Sequence, residues 1–151
     1  MQKKVWGNAV WYLFHTLAEK LKPEFVSELP ALFAQIGGIC NNLPCPDCQQ
    51  HATRIIQHSN AAQITSSKEN LINYLWSFHN SVNKRTGVAE FTKESLSMYK
   101  KAITKNVVQN FVNVMNQNLR SERAMLYTFH RQKFIKGFQQ YINANANKYY
   151  G

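Results

Sequence analysis

Acidic residues, cysteines, late prolines and long apolar runs are all scarce in this 151-residue chain. Three cysteines, all within residues 40–48, do not make the disulfide framework of a small secreted domain. No stretch approaches the roughly 18 consecutive apolar residues of a membrane-spanning helix, and the basic start Met-Gln-Lys-Lys is followed by no apolar run of signal-peptide length. The expectation is a soluble, cytoplasmic protein with no signal peptide and no transmembrane segment. The four prolines (Pro23, Pro30, Pro44, Pro46) lie in the first third, and neither glycine nor proline occurs between Gly87 and Gly137. Strand punctuation is therefore missing, and an all-α chain is expected.

What is present is enough to fold. Hydrophobic residues make up 44% and aromatics 13%, against 17% charged, so a core can be buried and wholesale disorder is excluded. Eight Asp and Glu oppose 18 Lys and Arg, giving +10. Such a balance raises nucleic acid or an anionic membrane as a partner. The excess is uneven: residues 1–91 carry +2 and residues 92–151 carry +8. Any such partner is thus expected only through the C-terminal part.

Apolar residues at three- and four-residue steps predict a first helix from Val5 to Lys22, ended by Pro23. A second follows Pro30 and buries Leu32, Phe33, Ile36 and Cys40, with Gly37-Gly38 weakening its far end. A third starts in Cys45-Pro46-Asp47-Cys48 and reaches Gln57. Ser66-Ser67-Lys68-Glu69 reads as a capping box opening a fourth, closed by Gly87. Thr92 caps a helix running through Leu96, Tyr99 and Ile103, with Val107, Phe111, Val114 and Met115 continuing its period. Ser121 caps a last helix through Leu126, Phe134, Phe138 and Tyr141, and the Asn/Lys-rich end from Asn143 is expected to fray.

Two cysteines three apart at a helix start can close a small disulfide ring, and the free amides and dipole there favour a thiolate. Two buried thiols, or part of a metal site, remain alternatives. Cys40, Cys45, Cys48 and His51 supply four zinc ligands in twelve residues, which makes a basic, helical nucleic-acid-binding module with a zinc-stapled turn the rival reading. A second signal is the stripe Trp76, His79, Asn80 and Asn83, at i, i+3, i+4 and i+7 of one helix. An aromatic mixed with hydrogen-bonding groups suits a planar heterocyclic ligand better than a plain core. Trp11 and His15 repeat the pattern at i, i+4, although either histidine alone could be a satisfied core residue.

Gly7-x3-Trp11-x3-His15-Thr16-x-Ala18, then Pro44-Cys45-x2-Cys48-x2-His51, then Trp76-x2-His79-Asn80-x-Val82-Asn83-Lys84-Arg85-x-Gly87 closely resembles the Erv/ALR family of FAD-dependent sulfhydryl oxidases. The wording is most similar to the minimal forms of large cytoplasmic DNA viruses and covers about residues 5–100. The resemblance implies a four-helix bundle with a short fifth helix, binding FAD and usually homodimeric, at residues 1–104; residues 105–151 have no counterpart in the minimal family and read, from their own charge and period, as a basic helical extension. It implies that Cys48 sits against the isoalloxazine ring and that Cys45 is attacked by an incoming thiolate. Trp11 and His15 would line the flavin, and Trp76, His79, Asn80, Asn83, Lys84 and Arg85 would bind adenine, ribose and diphosphate. Gly7, His51, Val82 and Tyr99 complete the implied cofactor-binding set. Electrons would pass from a partner dithiol through the Cys45–Cys48 disulfide to FAD and then to oxygen, giving hydrogen peroxide.

Many relatives carry a second, shuttling Cys-x-x-Cys, and this chain has only Cys40 left over. A thioredoxin-like dithiol protein is therefore expected to reach Cys45 directly, and Cys40 is expected to be a buried helix thiol. The extension is read as helices packed on the core or completing a dimer, with an anion- or membrane-binding surface as the sharper alternative.

Overall fold

The computed structural model describes residues 2–117, the backbone of 122–127 and residues 128–151. Helix α1 spans Lys3–Lys20 and buries Trp6, Ala9, Val10, Leu13, Phe14 and Leu17 along one face. It stops two residues earlier than its apolar period suggests, because Leu21 turns extended and its backbone pairs with Tyr149 in an isolated bridge. A 3-10 stretch over Pro23–Glu28 leads into α2 (Leu29–Cys40), with Pro30 in its first turn. Gly37-Gly38 does not fray this helix. A Cβ at Gly38 would overlap the Phe134 ring, so glycine there permits a close approach by the last helix.

Helix α3 (Pro46–Gln57) begins at the Cys-x-x-Cys, and α4 is the short Ala61–Ile64. The cap of α5 (Lys68–Thr86) falls one residue later than expected: Ser67 Oγ accepts from Asn70 N at 3.0 Å, while Ser66 Oγ accepts from the Asn70 side chain. Gly87 closes α5 at φ 75°, where a side chain would be strained. The single helix expected from Thr92 is broken in two. A 3-10 turn (Lys93–Leu96) and α6 (Ser97–Lys100) precede a gap before α7 (Thr104–Met115), and Thr92 Oγ1 bonds Ser95 Oγ instead of a backbone amide. Helix α8 covers Glu122–Ala144. Its expected cap at Ser121, and the side chain of Leu126, lie outside the described residues.

The described residues are helical apart from connections and that one bridge, so the all-α expectation holds. Helix α1 is central, packed by α5, α6 and most extensively by α7, while α2 meets α3, α4 and α8. One hydrophobic core runs from Leu13, Phe14 and Leu17 through Ile36, Leu75 and Phe78 to Phe111, Met115, Ile135 and Phe138.

The C-terminal end is docked rather than frayed. Lys148 Nζ lies 2.9 Å from Glu28 Oε2, Tyr141 donates its hydroxyl to Glu28 Oε1 at 2.8 Å, and Tyr150 N donates to Lys20 O at 2.8 Å. The Lys148 hydrogen bond holds the Glu28 carboxyl below its usual range. Tyr149, at 6% exposure, is part of the core. Composition alone could not reveal this, because a lysine suits solvent as well as a carboxylate partner such as Glu28.

Candidate active site

Helices α1 and α5 run antiparallel. Lys68, at the start of α5, donates to the last carbonyls of α1 (Glu19 O at 2.8 Å and Leu21 O at 2.6 Å), whereas Trp11 and His15 meet His79, three turns further along α5. The first turn of α1 and the last turn of α5 therefore share one end of the bundle. Lys3, Gly7, Trp11 and His15 recur every four residues and form one stripe of α1 facing that end.

The centre of the site is a stack of flat rings. Trp11 lies on His79 with centroids 4.2 Å apart at 8°. His15 Nε2 and His79 Nδ1 share a hydrogen bond of 2.9 Å, and Tyr99 stacks on His15 at 4.7 Å. Burial pushes His15 down to about 3, helped by His79, and pushes His79 down to about 4, so both imidazoles are neutral at pH 7. His15 Nδ1 is buried with no partner.

Around the rings, Trp76 Nε1, Asn80 and Asn83 Nδ2 bond the backbone of Phe91 and Ala89. Gly7 faces open space where a Cβ would stand. Asn83 is buried, Val82 is half-buried against the core, and Lys84 and Arg85 are exposed.

The dithiol lies at the same end. Cys45 is the N-cap of α3, its sulfur accepting from Cys48 N at 3.3 Å, and the two thiols are 2.6 Å apart. Burial, and then the hydrogen bond and charge of Cys45, push Cys48 up to about 11, against the pull of Lys3 and Arg85. The thiolate-stabilising amide expected from the helix start is thus spent on Cys45 Sγ, and Cys48 relies on cations from α1 and α5. His51 is held low by burial and by Arg85, Arg54 and Lys3.

Cys40 is apart from this group, 1% exposed in α2, with burial raising it to about 12. Among the described residues no three of His, Cys, Asp and Glu gather as metal ligands, so the zinc-stapled turn lacks its cluster.

Residues 8–102 match the Erv1 / Alr family. The chain belongs to the Erv1 / Alr family. Three viral relatives bear names that describe inferred FAD-linked sulfhydryl oxidases. Protein 096R of Invertebrate iridescent virus 3 is 30% identical over 93 residues, covering 54% of this chain and 56% of that protein. FPV093 of Fowlpox virus (strain NVSL) is 32% identical over 78 residues, covering 52% and 73%. OPG072 of Vaccinia virus (strain Western Reserve) is 31% identical over 78 residues, covering 52% and 75%. The chain thus spans little more than half the length of the first of these relatives. No solved structure matches it.

Two residues of this candidate site were not singled out from sequence. Lys3 was findable, since it extends the four-residue stripe of Gly7, Trp11 and His15. Phe91 was not, because it lies in the non-helical segment between Gly87 and the 3-10 turn, where no periodicity operates. The only hint was indirect: Trp76, Asn80 and Asn83 present polar groups on one face that needed a partner.

Proposed function

We propose that this chain is an FAD-linked sulfhydryl oxidase that makes disulfides in a partner dithiol protein. The observation that carries the proposal is the thiol pair Cys45–Cys48, 2.6 Å apart at the start of α3, where Lys3 of α1 and Arg85 of α5 act on Cys48. The residues present fit a planar, anionic cofactor. His15 offers a buried unpartnered nitrogen within a cluster of flat rings that includes Trp11 and Tyr99, and Lys3 and Arg85, which act on Cys48, with the exposed Lys84 beside Arg85 in sequence, bring cations suited to a diphosphate. When bound, FAD supplies a two-electron acceptor that is reoxidised by oxygen, with hydrogen peroxide as the proposed product.

The chain's own residues do the thiol chemistry. In the oxidised form a substrate thiolate attacks Cys45 Sγ, the Cys45–Cys48 bond breaks, and Cys48 leaves as a thiolate. A second substrate thiolate then attacks the substrate sulfur of the mixed disulfide and releases Cys45. Two electrons have entered the pair, and their onward loss restores the disulfide. Lys3 and Arg85 favour the thiolate of Cys48 at the moment it forms. Cys40 is buried in α2 and takes no part in this exchange, and the proposed substrate, a thioredoxin-like or other dithiol protein, meets Cys45 itself. A homodimer is part of the same proposal, and light scattering on the purified protein tests it.

An absorption spectrum tests the central claim. The purified protein should be yellow, with a flavin band between about 350 and 500 nm, and should consume oxygen when given dithiothreitol. A colourless protein loaded with one zinc per chain would sink the proposal.

A further inference from the structure

Asn80 grips residue 91 from both sides of its backbone. Its Nδ2 donates to Phe91 O at 2.9 Å and its Oδ1 accepts from Phe91 N at 2.7 Å. Trp76 Nε1 donates to the same carbonyl at 2.8 Å, Asn83 Nδ2 reaches Ala89 O at 3.4 Å, and Lys93 Nζ stands 5.5 Å from the centroid of the Trp76 ring. Residues 88–92, which have no helix of their own, are thereby strapped along α5. The strap delivers one side chain to the site. The Phe91 ring stacks on His79 at 4.8 Å and 22°, and on His15 at 5.6 Å and 17°.

We propose that Phe91 is a positioning residue of the flavin site and that Asn80 acts on the cofactor through Phe91 rather than by contact of its own; this rests on the oxidase reading above. A carboxamide with one donor and its acceptor committed to the backbone of a single residue must break both bonds to turn toward a ribose or phosphate, at roughly 1 kcal/mol each. The Phe91 ring, in contrast, already covers the faces of both histidines. His15 is oriented by a single ring hydrogen bond and by the rings stacked on it, since its second nitrogen has no partner. Removing Phe91 lets water onto those faces and frees the imidazole planes to tilt. A ligand edge that must meet His15 Nδ1 in the ring plane then binds less well.

The test is a double-mutant cycle read by FAD affinity, from the quenching of flavin fluorescence, and by the visible circular dichroism of bound flavin. Phe91→Ala should weaken FAD binding about tenfold or more, the loss expected for one stacked ring, and alter the dichroism. Phe91→Tyr, which keeps the ring, should restore both. Asn80→Ala should weaken binding to a similar extent, and the double variant should be no weaker than Phe91→Ala alone. Additive losses would mean that Asn80 touches the cofactor directly and would overturn the proposal, as would unchanged affinity and dichroism in Phe91→Ala. If Phe91→Ala does not fold, Phe91→Leu keeps apolar volume without a ring, and full affinity in that variant would equally overturn it. Wild-type protein that binds no FAD is a different result, which rejects the oxidase reading itself.

Discussion

Cys45 and Cys48 differ in what their surroundings do for them, and that difference predicts how each variant fails. The first-turn amide of α3 is directed at Cys45 Sγ, while Cys48 is pushed up to about 11 by burial and by Cys45. Cys48→Ser is expected to retain FAD and lose turnover with any dithiol. Cys45→Ser should also lose turnover but, with the hydrogen bond and charge of Cys45 removed, leave Cys48 as a thiolate beside the flavin, visible as a long-wavelength charge-transfer band; full activity there would contradict the assigned roles. Cys40→Ser should keep kcat while losing about 1–3 kcal/mol of stability, since a hydroxyl is buried at a 1% exposed site. The same residue-scale logic gives a pH dependence for the cofactor-free protein. His15 and His79 fall to about 3 and about 4 in the folded chain, from an ordinary 6.5. Below pH 6.5 the unfolded chain binds protons that the native chain refuses, so stability falls as pH drops toward 4 and is flat above 6.5. Denaturation midpoints from pH 4 to 8 check this, and in His79→Gln the slope should shrink. The cysteine pair and the Trp/His residues were legible in the sequence because helical spacing places them. The ownership of their polar atoms was not, since Asn80 and Trp76 bond to Phe91, which no period locates.

Between helices, the forces that set the register are few and specific. Lys68 donates to Glu19 O and Leu21 O, neutralising the negative end of α1 with a charge whose own pKa burial lowers. Lys68→Met keeps the apolar stem and deletes that cap; a loss of about 1.5–3 kcal/mol in urea unfolding is expected, as for hydrogen bonds to a charged group. The two glycines of α2 should behave oppositely. Gly37→Ala meets nothing and should stabilise by about 0.5–1 kcal/mol through helix propensity alone. Gly38→Ala must push the Phe134 ring out of the α2–α8 seam and should be the less stable of the two by thermal melting. Equal melting temperatures would show that the seam has slack. From sequence, the glycine pair reads as a weak helix end, because propensity sees only α2. The need for a small residue comes from a ring that is 96 positions away in the chain. The break at residues 101–103 is hidden for the same reason: Leu96, Tyr99 and Val107 keep a helical period, yet the turn is made so that α6 and α7 can both pack on α1.

At the scale of the molecule, the family match ends at residue 102 and α7 begins at Thr104, so a boundary proposed at 104/105 separates recognisable from unrecognised sequence. The core does not divide there. Phe111, Met115, Ile135 and Phe138 are each at most 1% exposed and belong to one cluster with Leu13 and Phe14. The +8 of residues 92–151 is also partly used within the fold. Lys148 pairs with Glu28, and Arg131, 2% exposed, donates to Met115 O and Gln117 O at the end of α7, where the helix dipole favours a cation. Burying each large apolar side chain contributes roughly 1.5–3 kcal/mol, against a total stability of about 5–15 kcal/mol for an ordinary domain. Removing residues 105–151 takes away at least four such side chains and uncovers the face of α1 along which α7 lies. A chain of residues 1–104 is therefore expected to lose cooperative unfolding by circular dichroism, to elute as aggregate and to bind no FAD. Phe111→Ala in the full chain supplies the graded version, a loss of about 3–5 kcal/mol with the spectrum of bound flavin unchanged. If residues 1–104 instead melt cooperatively and hold FAD, the segment beyond is a separable appendage and the shared core contributes far less than its burial implies.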